Sequence, residues 1–565
     1  VPISLRNTLD GQDGRELVRV VEPRPHLART KRARTIFAVN HANGAHIAMP
    51  NNDLISNLHA LSERVNFVQE NGQFVTPPLP ETAQDMQVIA TLFGKRNAKI
   101  LSAMRFLDRT SRFRTLLFQQ IDEHGKVSAY RSEEFVESYA GAKRNRYAAA
   151  EKSLKALPFM PRDARISLLT KDEYQPVKLT AEGLEPKPPR AIQTRDPRYH
   201  LPLGCYLHPA EKALYSCIDK VFCPSGNHKT IAKGMNLQQR GEAIHEMWSQ
   251  FHEPVAVGLD ASRWDQHQHY LLLKAEHASY MRLCEDKHSQ DHIPRLRKLL
   301  KYQLLSEGRY KGVDGEIRYR TNGKRASGDM NTSSGNIHNM TDLLYSFLVH
   351  KELEDDVLVT NDGDDNVVIM ERSNLDHFMS GLDRWFYEMG VTMTVDGIYY
   401  QLEEIQFCQA QPVKGPTGWV LVPKPTKRLY SDLTTTKRLD VPKIYRKWLG
   451  AVAGCGQSSS SGLPIYQSFY GRLARGAAPW IPDESSSYYK FRDSLVKGME
   501  GRHLPITWET RTSFFFAFGV TPIAQLLIEK HFDSLPDPVY KDPEELKSMI
   551  PPVLTLVPPD WTDRY

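Results

Sequence analysis

Two short apolar runs flank a polar turn within Val357–Met370, and this stretch limits the possible folds more than any other. The β-branched residues on either side predict two strands, and the centre, from Asn361 to Asp365, predicts the tight turn of a hairpin. Asp364 and Asp365 would then lie at its tip. Because adjacent carboxylates repel each other, the tip is either a solvated turn or a site where a divalent cation removes the repulsion.

Composition narrows the class of protein without naming a function. The 565 residues are 40% hydrophobic and 25% charged, which is ordinary for a soluble protein with sizeable cores. A net charge of +6 permits a nucleic-acid partner without requiring one. The six cysteines form no CxxC pair, so neither a zinc ribbon nor a disulfide framework is indicated. The longest apolar stretch, 514–528, is too short to cross a bilayer, and we expect no transmembrane segment.

A second carboxylate site follows the apolar run that begins at Val255. This run predicts a strand ending at Asp260, and Asp265 lies just beyond it. Enzymes of mixed α/β architecture bind ligands at the carboxyl ends of buried strands. We therefore expect Asp260 to lie beside Asp364, with Asp265 facing the same cleft.

A loop of small and hydroxyl residues runs from Ser327 to Asn336 and leads into a predicted long helix. Its glycines, Gly328 and Gly335, let a ligand or another backbone approach closely. The alternative interpretation is an ordinary small-residue turn that caps the helix.

Basic residues are concentrated in two earlier segments. The first interleaves cations with aromatic rings between Tyr139 and Tyr147, a mixture suited to a phosphate backbone with bases to stack on. The second surrounds a predicted strand pair, where planar arginine side chains suit a triphosphate, although an exposed charged hairpin explains them equally well. The cations are Lys143, Arg144 and Arg146 in the first segment, and Lys171, Arg190 and Arg195 in the second.

One chemistry uses all of these features. In two-metal phosphoryl transfer, carboxylates hold two ions about 3.5–4 Å apart, and cations gather the triphosphate. Together the segments resemble the motifs of viral RNA-dependent RNA polymerases of positive-strand RNA viruses, nearest the tombusvirus-like group and similar also to polymerases of flavivirus relatives. The resemblance covers roughly residues 100–530. Residues 260–267 resemble motif A, 327–336 motif B, 363–365 motif C, 403–409 motif E, 171–199 the incoming-nucleotide motif, and 511–514 with 517–522 a thumb segment.

The resemblance implies an α+β fold shaped like a right hand, with fingers, a palm built on an antiparallel sheet, and a thumb, closed by fingertips. It divides the chain into an N-terminal extension with fingertips (1–100), fingers with the basic hairpin (101–254), palm with motif A (255–285), a fingers insertion (286–325), palm with motifs B to E (326–425), thumb (426–540) and a Pro-rich C-terminal tail (541–565).

It also implies a role for each candidate residue. Asp260, Asp364 and Asp365 would be catalytic and would bind Mg²⁺ or Mn²⁺. Nucleotide binding would fall to two groups: Asp265, Ser327, Thr332 and Asn336 at the ribose, and Lys171, Arg190 and Arg195 at the phosphates. Lys143, Arg144, Arg146 and Gly328 would contact RNA.

The function implied is RNA-templated RNA synthesis that replicates a viral genome, with initiation that does not require a primer. The partners would be template and nascent RNA, nucleoside triphosphates and other viral replication proteins. The location would be replication complexes in the host cytoplasm, membrane-associated through partners, or a virion. Two alternatives are a reverse transcriptase or DNA polymerase, which an aromatic residue in place of Asp265 would favour, and a non-catalytic RNA-binding scaffold.

Overall fold

The structure is a computed structural model that describes residues 18–21, 36–39, 46–49, 51–65, 67–68, 74–75, 104–171, 175–180, 183–186, 188–285, 291–433, 441–478, 495–536 and 549–551. Most of the predicted N-terminal extension and of the C-terminal tail therefore lies outside the described residues. Within them the chain is a mixed α and β protein with mainly antiparallel sheets, which confirms the predicted fold class at that level.

The described secondary structure is as follows. Helices α1–α17 are Leu54–Arg64, Ser111–His124, Ser132–Glu137, Gly141–Ala156, Pro197–Phe222, Leu237–Trp248, Trp264–His267, Tyr270–Leu283, His292–Leu304, Thr332–His350, Leu375–Met379, Leu382–Glu388, Pro425–Asp432, Pro442–Ser459, Tyr466–Arg475, Trp508–Phe518 and Pro522–Ser534. Strands β1–β19 are Val18–Val21, Ile36–Val39, His46–Met49, Phe67–Val68, Phe74–Val75, Val127–Ser128, Ile166–Thr170, Gln175–Thr180, Gly183–Pro186, Ala191–Arg195, Pro254–Ala261, Cys284–Glu285, Leu305–Lys311, Glu316–Asn322, Val357–Asp362, Asp365–Glu371, Met393–Tyr399, Ala410–Gly415 and Gly418–Pro423.

A four-stranded antiparallel sheet with the order β15-β16-β11-β17 forms the centre of the protein. Strand β11 is nearly continuously apolar because both faces of the sheet are covered. Val255, Val257 and Leu259 pack into one core with helix α10, whereas Ala256 packs into a second core with the C-terminal helices. The predicted strand ending at Asp260 and the predicted long helix after the Ser-Gly loop are both confirmed.

A five-stranded sheet with the order β1-β14-β13-β7-β10 contains the strand pair of the second basic segment. The predicted strand from Ile166 is confirmed as β7, which pairs antiparallel with β10. Gly312 and Gly315 also predict a hairpin in the sequence, and it is confirmed as β13–β14. Gln193 in β10 donates its backbone N–H to Ser327 O at 2.9 Å, so the edge of this sheet meets the Ser-Gly loop.

The sequence of Glu404–Cys408 also predicts a strand, and this prediction is wrong. Leu402–Glu404 is a 3₁₀ helix, and Phe407 pairs with Ala410 in an isolated bridge. Cys408 and Gln409 take positive φ angles of 51° and 63°, so the backbone reverses here and the buried side chains do not belong to an extended strand.

Helices α14 to α17 pack around a core that includes Trp448, Phe469, Phe514 and Phe532. No single helix among the described residues is long and apolar enough to span a bilayer, although α16 and α17 pass that test jointly across a bend of 101°.

Candidate active site

The polar turn joins β15 to β16 in a tight hairpin, which confirms the predicted local structure. Asp362 pairs in register with Asp365, so the connection is the dipeptide Gly363-Asp364. Gly363 takes φ 86°, and Asp364 is not among the residues with positive φ. This combination is typical of a type II′ turn, whose first central position favours glycine. The turn therefore fixes Asp364 at the tip and starts the second strand at Asp365.

Strand register brings Asp260 to the same place. It pairs with Asp365 across β11 and β16, and residues directly opposite on antiparallel strands share a face of the sheet. Burial together with the charges of Asp364, Asp260, Asp362 and Asp396 raises the pKa of Asp365 to about 7. Burial, Asp396 and Asp364 raise the pKa of Asp260 to about 6, and burial raises that of Asp364. These carboxylates repel one another within one partly buried cluster.

The donor set suits a hard cation, since Mg²⁺ prefers carboxylate oxygens. A divalent ion would offset both the cost of burying these charged carboxylates and their mutual repulsion. In the described part of the chain, no group of three or more His, Cys, Asp or Glu side chains is already gathered around one point as a complete ligand set. The chemistry of Asp260, Asp364 and Asp365 therefore fits a cation, and side-chain rotation would have to complete the coordination.

Asp265 and Ser327, predicted to act together, are in contact. Ser327 Oγ donates a hydrogen bond to Asp265 Oδ2. Burial raises the pKa of Asp265 to about 7, and the charge of Arg325 opposes that rise. Asn336 lies against the turn, since a Cβ atom at Gly363 would be 3.7 Å from Asn336 Cβ. The loop, the residue after β11 and the hairpin tip thus converge on one cleft.

Gly328 and Thr332 shape the loop. Gly328 takes φ 139°, and an added Cβ would come within 2.8 Å of Gln193 O, so the position favours glycine on both grounds. Thr332 Oγ1 accepts from Gly328 N at 3.2 Å and lies 3.1 Å from Ala326 O and 3.0 Å from Asp329 O. The hydroxyl of Thr332 therefore closes the loop on itself, and its contact with a ribose stays a prediction.

Arg195 is placed differently from the prediction. Its side chain is 1% exposed and pairs with Asp329 through two hydrogen bonds. The remaining N–H groups donate to Ala164 O at 2.6 Å, Tyr302 O at 3.1 Å and Ser306 Oγ at 2.8 Å. A guanidinium has five N–H donors, and all are used here. The predicted phosphate contact of Arg195 is therefore wrong for this conformation.

Arg190 and Lys171 lie at the other end of the same strand pair. Lys171 N donates to Arg190 O at 2.8 Å, which makes the two residues neighbours across β7 and β10. Burial raises the pKa of both Asp364 and Asp265, and the positive charge of Arg190 opposes that rise. Arg190 also lines a cavity of about 680 Å³ together with Asp364 and Asp365. The structure thus brings Arg190 to the carboxylates, whereas Arg195 is directed into the core.

The predicted RNA-contact residues Lys143, Arg144 and Arg146 lie on the exposed side of α4. Lys143 Nζ is 4.2 Å from the centre of the Tyr139 ring, a cation–π contact that confirms the expected mixing of cations and aromatic rings at this residue pair. Contact of this helix with RNA stays a prediction.

Sequence reasoning missed the residues that neutralise Asp362. Arg240 Nη2 donates to Asp362 Oδ2 at 2.6 Å, and Lys233 Nζ is 3.7 Å from Asp362 Oδ1. Both cations line the same cavity as Asp364 and Asp365. The alternation of strand residues could have placed Asp362 beside Asp365, but nothing local in the sequence connects it with residues more than 120 positions earlier.

A family model described as viral RNA dependent RNA polymerase matches residues 21–536. The RNA-directed RNA polymerase of Oat chlorotic stunt virus (isolate United Kingdom) is 32% identical over 506 residues, covering 86% of this chain and 62% of that protein. That of Tobacco necrosis virus (strain A) is 33% identical over 497 residues, covering 86% and 62%. That of Pothos latent virus (isolate Pigeonpea/India) is 34% identical over 481 residues, covering 85% and 58%. The chain thus spans about three fifths of these relatives' length.

Proposed function

Because the chain belongs to the viral RNA-dependent RNA polymerase family, we propose that it synthesises RNA on an RNA template from nucleoside triphosphates and replicates a positive-strand viral genome. The observation that carries the proposal is the pairing of Asp260 with Asp365 beside the turn that holds Asp364. Acidic residues from two distant stretches of the sequence are thereby brought to one end of one sheet. Such a cluster is what two-metal nucleotidyl transfer requires of a protein.

The proposed architecture is a right hand. The central sheet with α10 would be the palm, residues 255–285 and 326–425. The five-stranded sheet, with residues 101–254 and the insertion 286–325, would belong to the fingers, residues 426–540 to the thumb, 1–100 to an extension with fingertips, and 541–565 to a tail. The edge of the five-stranded sheet that meets the Ser-Gly loop supports this division, because it joins the proposed fingers to the proposed palm.

Asp260, Asp364 and Asp365 would hold Mg²⁺ or Mn²⁺. Such ions, when bound, activate an attacking hydroxyl and neutralise charge on the departing pyrophosphate. The chain itself would contribute by holding the three carboxyl groups in place. The type II′ turn holds Asp364 at the tip, and the register of β11 and β16 holds Asp260 beside Asp365, so the backbone brings the three carboxyl groups to one end of the sheet.

Asp265, Ser327 and Asn336 would surround the ribose of the incoming nucleotide, with Thr332 shaping the loop. A carboxylate at residue 265 accepts a hydrogen bond from a 2′-hydroxyl, whereas a bulky aromatic side chain there would exclude it. Arg190 and Lys171 would contact the triphosphate from the fingers side. Their position supports that role because Arg190 lines the cavity that Asp364 and Asp365 also line.

The proposal also covers how RNA synthesis starts, which partners the chain binds and where in the cell it acts. Initiation without a primer would need an aromatic platform under the first nucleotide. Candidates for it are aromatic residues of the predicted thumb and tail, all of which lie outside the described residues: Trp480, Tyr488, Tyr489 and Trp561. RNA contacts would involve Lys143, Arg144, Arg146 and Gly328. We propose replication complexes in the host cytoplasm, reached through other viral replication proteins at a membrane, or a virion, as the location.

The decisive variant is Asp364→Asn, which removes one charge from the cluster and keeps the side-chain shape. We expect loss of metal-dependent nucleotide incorporation on a homopolymer template, with RNA binding retained. Asp376→Asn is the matched control, because it makes the same change at an exposed residue of α11. Unchanged incorporation by Asp364→Asn would refute the assignment, and a preference for deoxynucleotides in competition would instead favour a reverse transcriptase.

A further inference from the structure

A buried ion pair between Arg325 and Glu276 lies behind the side chains proposed to surround the ribose. The two side chains are 2% and 0% exposed. Arg325 Nη2 donates to Glu276 Oε2 at 2.6 Å, and Nη1 lies 3.4 Å from Oε1. Burial alone would raise the pKa of Glu276, but the nearby Arg325 charge lowers it below its usual value. The carboxylate is therefore ionised, and the contact is a salt bridge.

The same guanidinium orients Asn336. Arg325 Nε donates to Asn336 Oδ1 at 2.9 Å. Because a guanidinium can only donate, the amide oxygen must face Arg325, and the amide nitrogen is turned away from it. Asn336 also lies against Gly363, at the tip of the hairpin. The ion pair thus determines which end of the Asn336 amide is available to a ligand in the cleft.

Arg325 also acts on Asp265 from behind. Its backbone N–H donates to Asp265 O at 3.4 Å, and its charge opposes the burial that raises the pKa of the Asp265 carboxyl. Ser327 Oγ donates to the same carboxylate from the loop. An ionised Asp265 can only accept hydrogen bonds, whereas a protonated one would also donate.

Neighbouring residues are arranged to accommodate and hold this pair. Asn331 Nδ2 and Asn339 Nδ2 donate to the two oxygens of Glu276, the second at 3.3 Å. A Cβ atom at Gly335 would overlap both Glu276 Oε1 and Arg325 Nη2. The glycine in the first turn of α10 is therefore explained by the space that the pair occupies, not by a turn.

On the basis of the proposed function, we propose that Arg325 and Glu276 are positioning residues for ribose selection. They hold Asn336 as a hydrogen-bond donor towards the 2′-hydroxyl of the incoming nucleotide, beside Asp265, whose carboxylate would accept from the same hydroxyl. A 2′-hydroxyl can donate to Asp265 and accept from Asn336 at the same time. A 2′-deoxyribose can do neither, so discrimination depends on both groups being presented in this way.

The test is a double variant, Glu276→Gln with Arg325→Met. It removes both charges, keeps the side-chain volumes close, and leaves an amide oxygen to accept from Asn331, while Asn339 keeps its hydrogen bond to Gln268 Oε1 at 2.7 Å. Losing one partner alone would leave a buried unpaired charge, which is why the pair is changed together. We expect the ratio of kcat/KM for ribonucleotides to that for deoxyribonucleotides to fall about tenfold or more, chiefly through KM for ribonucleotides.

Arg325→Lys tests whether a positive charge at residue 325 is sufficient or whether the planar guanidinium group is needed. Lysine can keep the ion pair with Glu276, but its single ammonium group cannot also hold Asn336 as the planar fork does. We expect this variant to lose discrimination as well. Ribose selection retained at the wild-type level in Arg325→Lys would contradict the role assigned to the Asn336 contact.

The matched control is another buried arginine–glutamate pair. Arg511 donates to Glu529 at 2.9 and 2.8 Å between α16 and α17, with side chains 8% and 10% exposed. Glu529→Gln with Arg511→Met removes both charges of that pair, and it should leave the sugar ratio unchanged. A folded double variant at residues 276 and 325 with an unchanged ratio would overturn the inference.

Failure of the positioning role and failure of the proposed function would give different experimental results. If the double variant does not fold, Gly335→Ala replaces it as the test, because the added methyl group displaces the ion pair and keeps both charges. An unchanged ratio of kcat/KM for ribonucleotides to that for deoxyribonucleotides in Gly335→Ala would then overturn the inference. If the wild-type chain shows no metal-dependent incorporation at all, the proposed function itself fails. An active wild type with unaltered selection in the folded variants refutes the positioning role alone.

Discussion

The buried carboxyl group of Asp342 should make the stability of the chain depend on pH. Asp342 is fully buried on α10, the helix that starts beside the hairpin turn. In the part of the chain that the structure describes, Asp342 Oδ2 has no hydrogen-bond partner, and Oδ1 lies 3.4 Å from Ser346 Oγ. Burial raises the pKa of Asp342 from 3.8 to about 7.

Asp342→Asn removes this titration and keeps the side-chain shape. The unfolded chain releases the proton near pH 3.8 and the folded chain near pH 7, so wild-type stability falls as pH rises through that window. At 1.36 kcal/mol for each pKa unit, the full effect is about 4 kcal/mol, more than half of which falls between pH 5 and pH 8. Any fixed cost of the amide cancels, because it is the same at both pH values.

The assay is urea-induced unfolding, followed by tryptophan fluorescence, of the wild type and the variant at several pH values. The stability of Asp342→Asn relative to the wild type should rise from pH 5 to pH 8, whereas that of the exposed Asp376→Asn should stay constant. A constant difference between Asp342→Asn and the wild type would refute the reasoning, since it would mean that the carboxyl group is ionised or hydrated in the folded state.

Three other outcomes are expected. Arg190→Ala should raise KM for nucleotides without lowering Tm, whereas Arg195→Ala should cost about 3–5 kcal/mol of unfolding free energy by leaving Asp329 buried and unpaired; equal effects on Tm would contradict this contrast. Gly363→Ala should cost about 1–2 kcal/mol and reduce incorporation, because alanine disfavours positive φ. Mg²⁺ should raise Tm of the wild type more than that of Asp365→Asn, and an equal rise would place the ion elsewhere.

The parts of the site that the sequence predicts correctly are local. The strand that ends at Asp260, the hairpin around Gly363 and the helix that follows the Ser-Gly loop each depend on residues close together in the chain. Apolar periodicity and turn chemistry determine such elements without knowledge of distant partners. For that reason the position of Asp364 at the tip, with Asp365 directly after it, could be predicted from a fourteen-residue stretch, Val357–Met370.

The two arginines of the basic strand pair show what could not be predicted. Arg190 and Arg195 differ by an odd number of positions, so alternation along a strand directs them to opposite faces. The sequence does not say which face is buried. A buried arginine is tolerated here because Asp329, 134 residues away, pairs with it, and that partner is visible only in the folded chain. The strand predicted at Glu404–Cys408 failed for a related reason, since positive φ angles at two non-glycine residues leave little trace in sequence.

The acidic residues at this end of the central sheet fall into two groups, those with a positively charged partner and those that face one another. This difference explains why the cluster suits a cation. Asp362 has its own counter-charges in Arg240 and Lys233. Asp260 and Asp365 lie opposite each other in the sheet, and burial with mutual repulsion raises the pKa of both. The folded chain therefore keeps an unfavourable arrangement that a divalent ion would relieve. Ion binding and stability should accordingly be coupled at Asp365, which is why the expected Mg²⁺ effect on Tm depends on that residue.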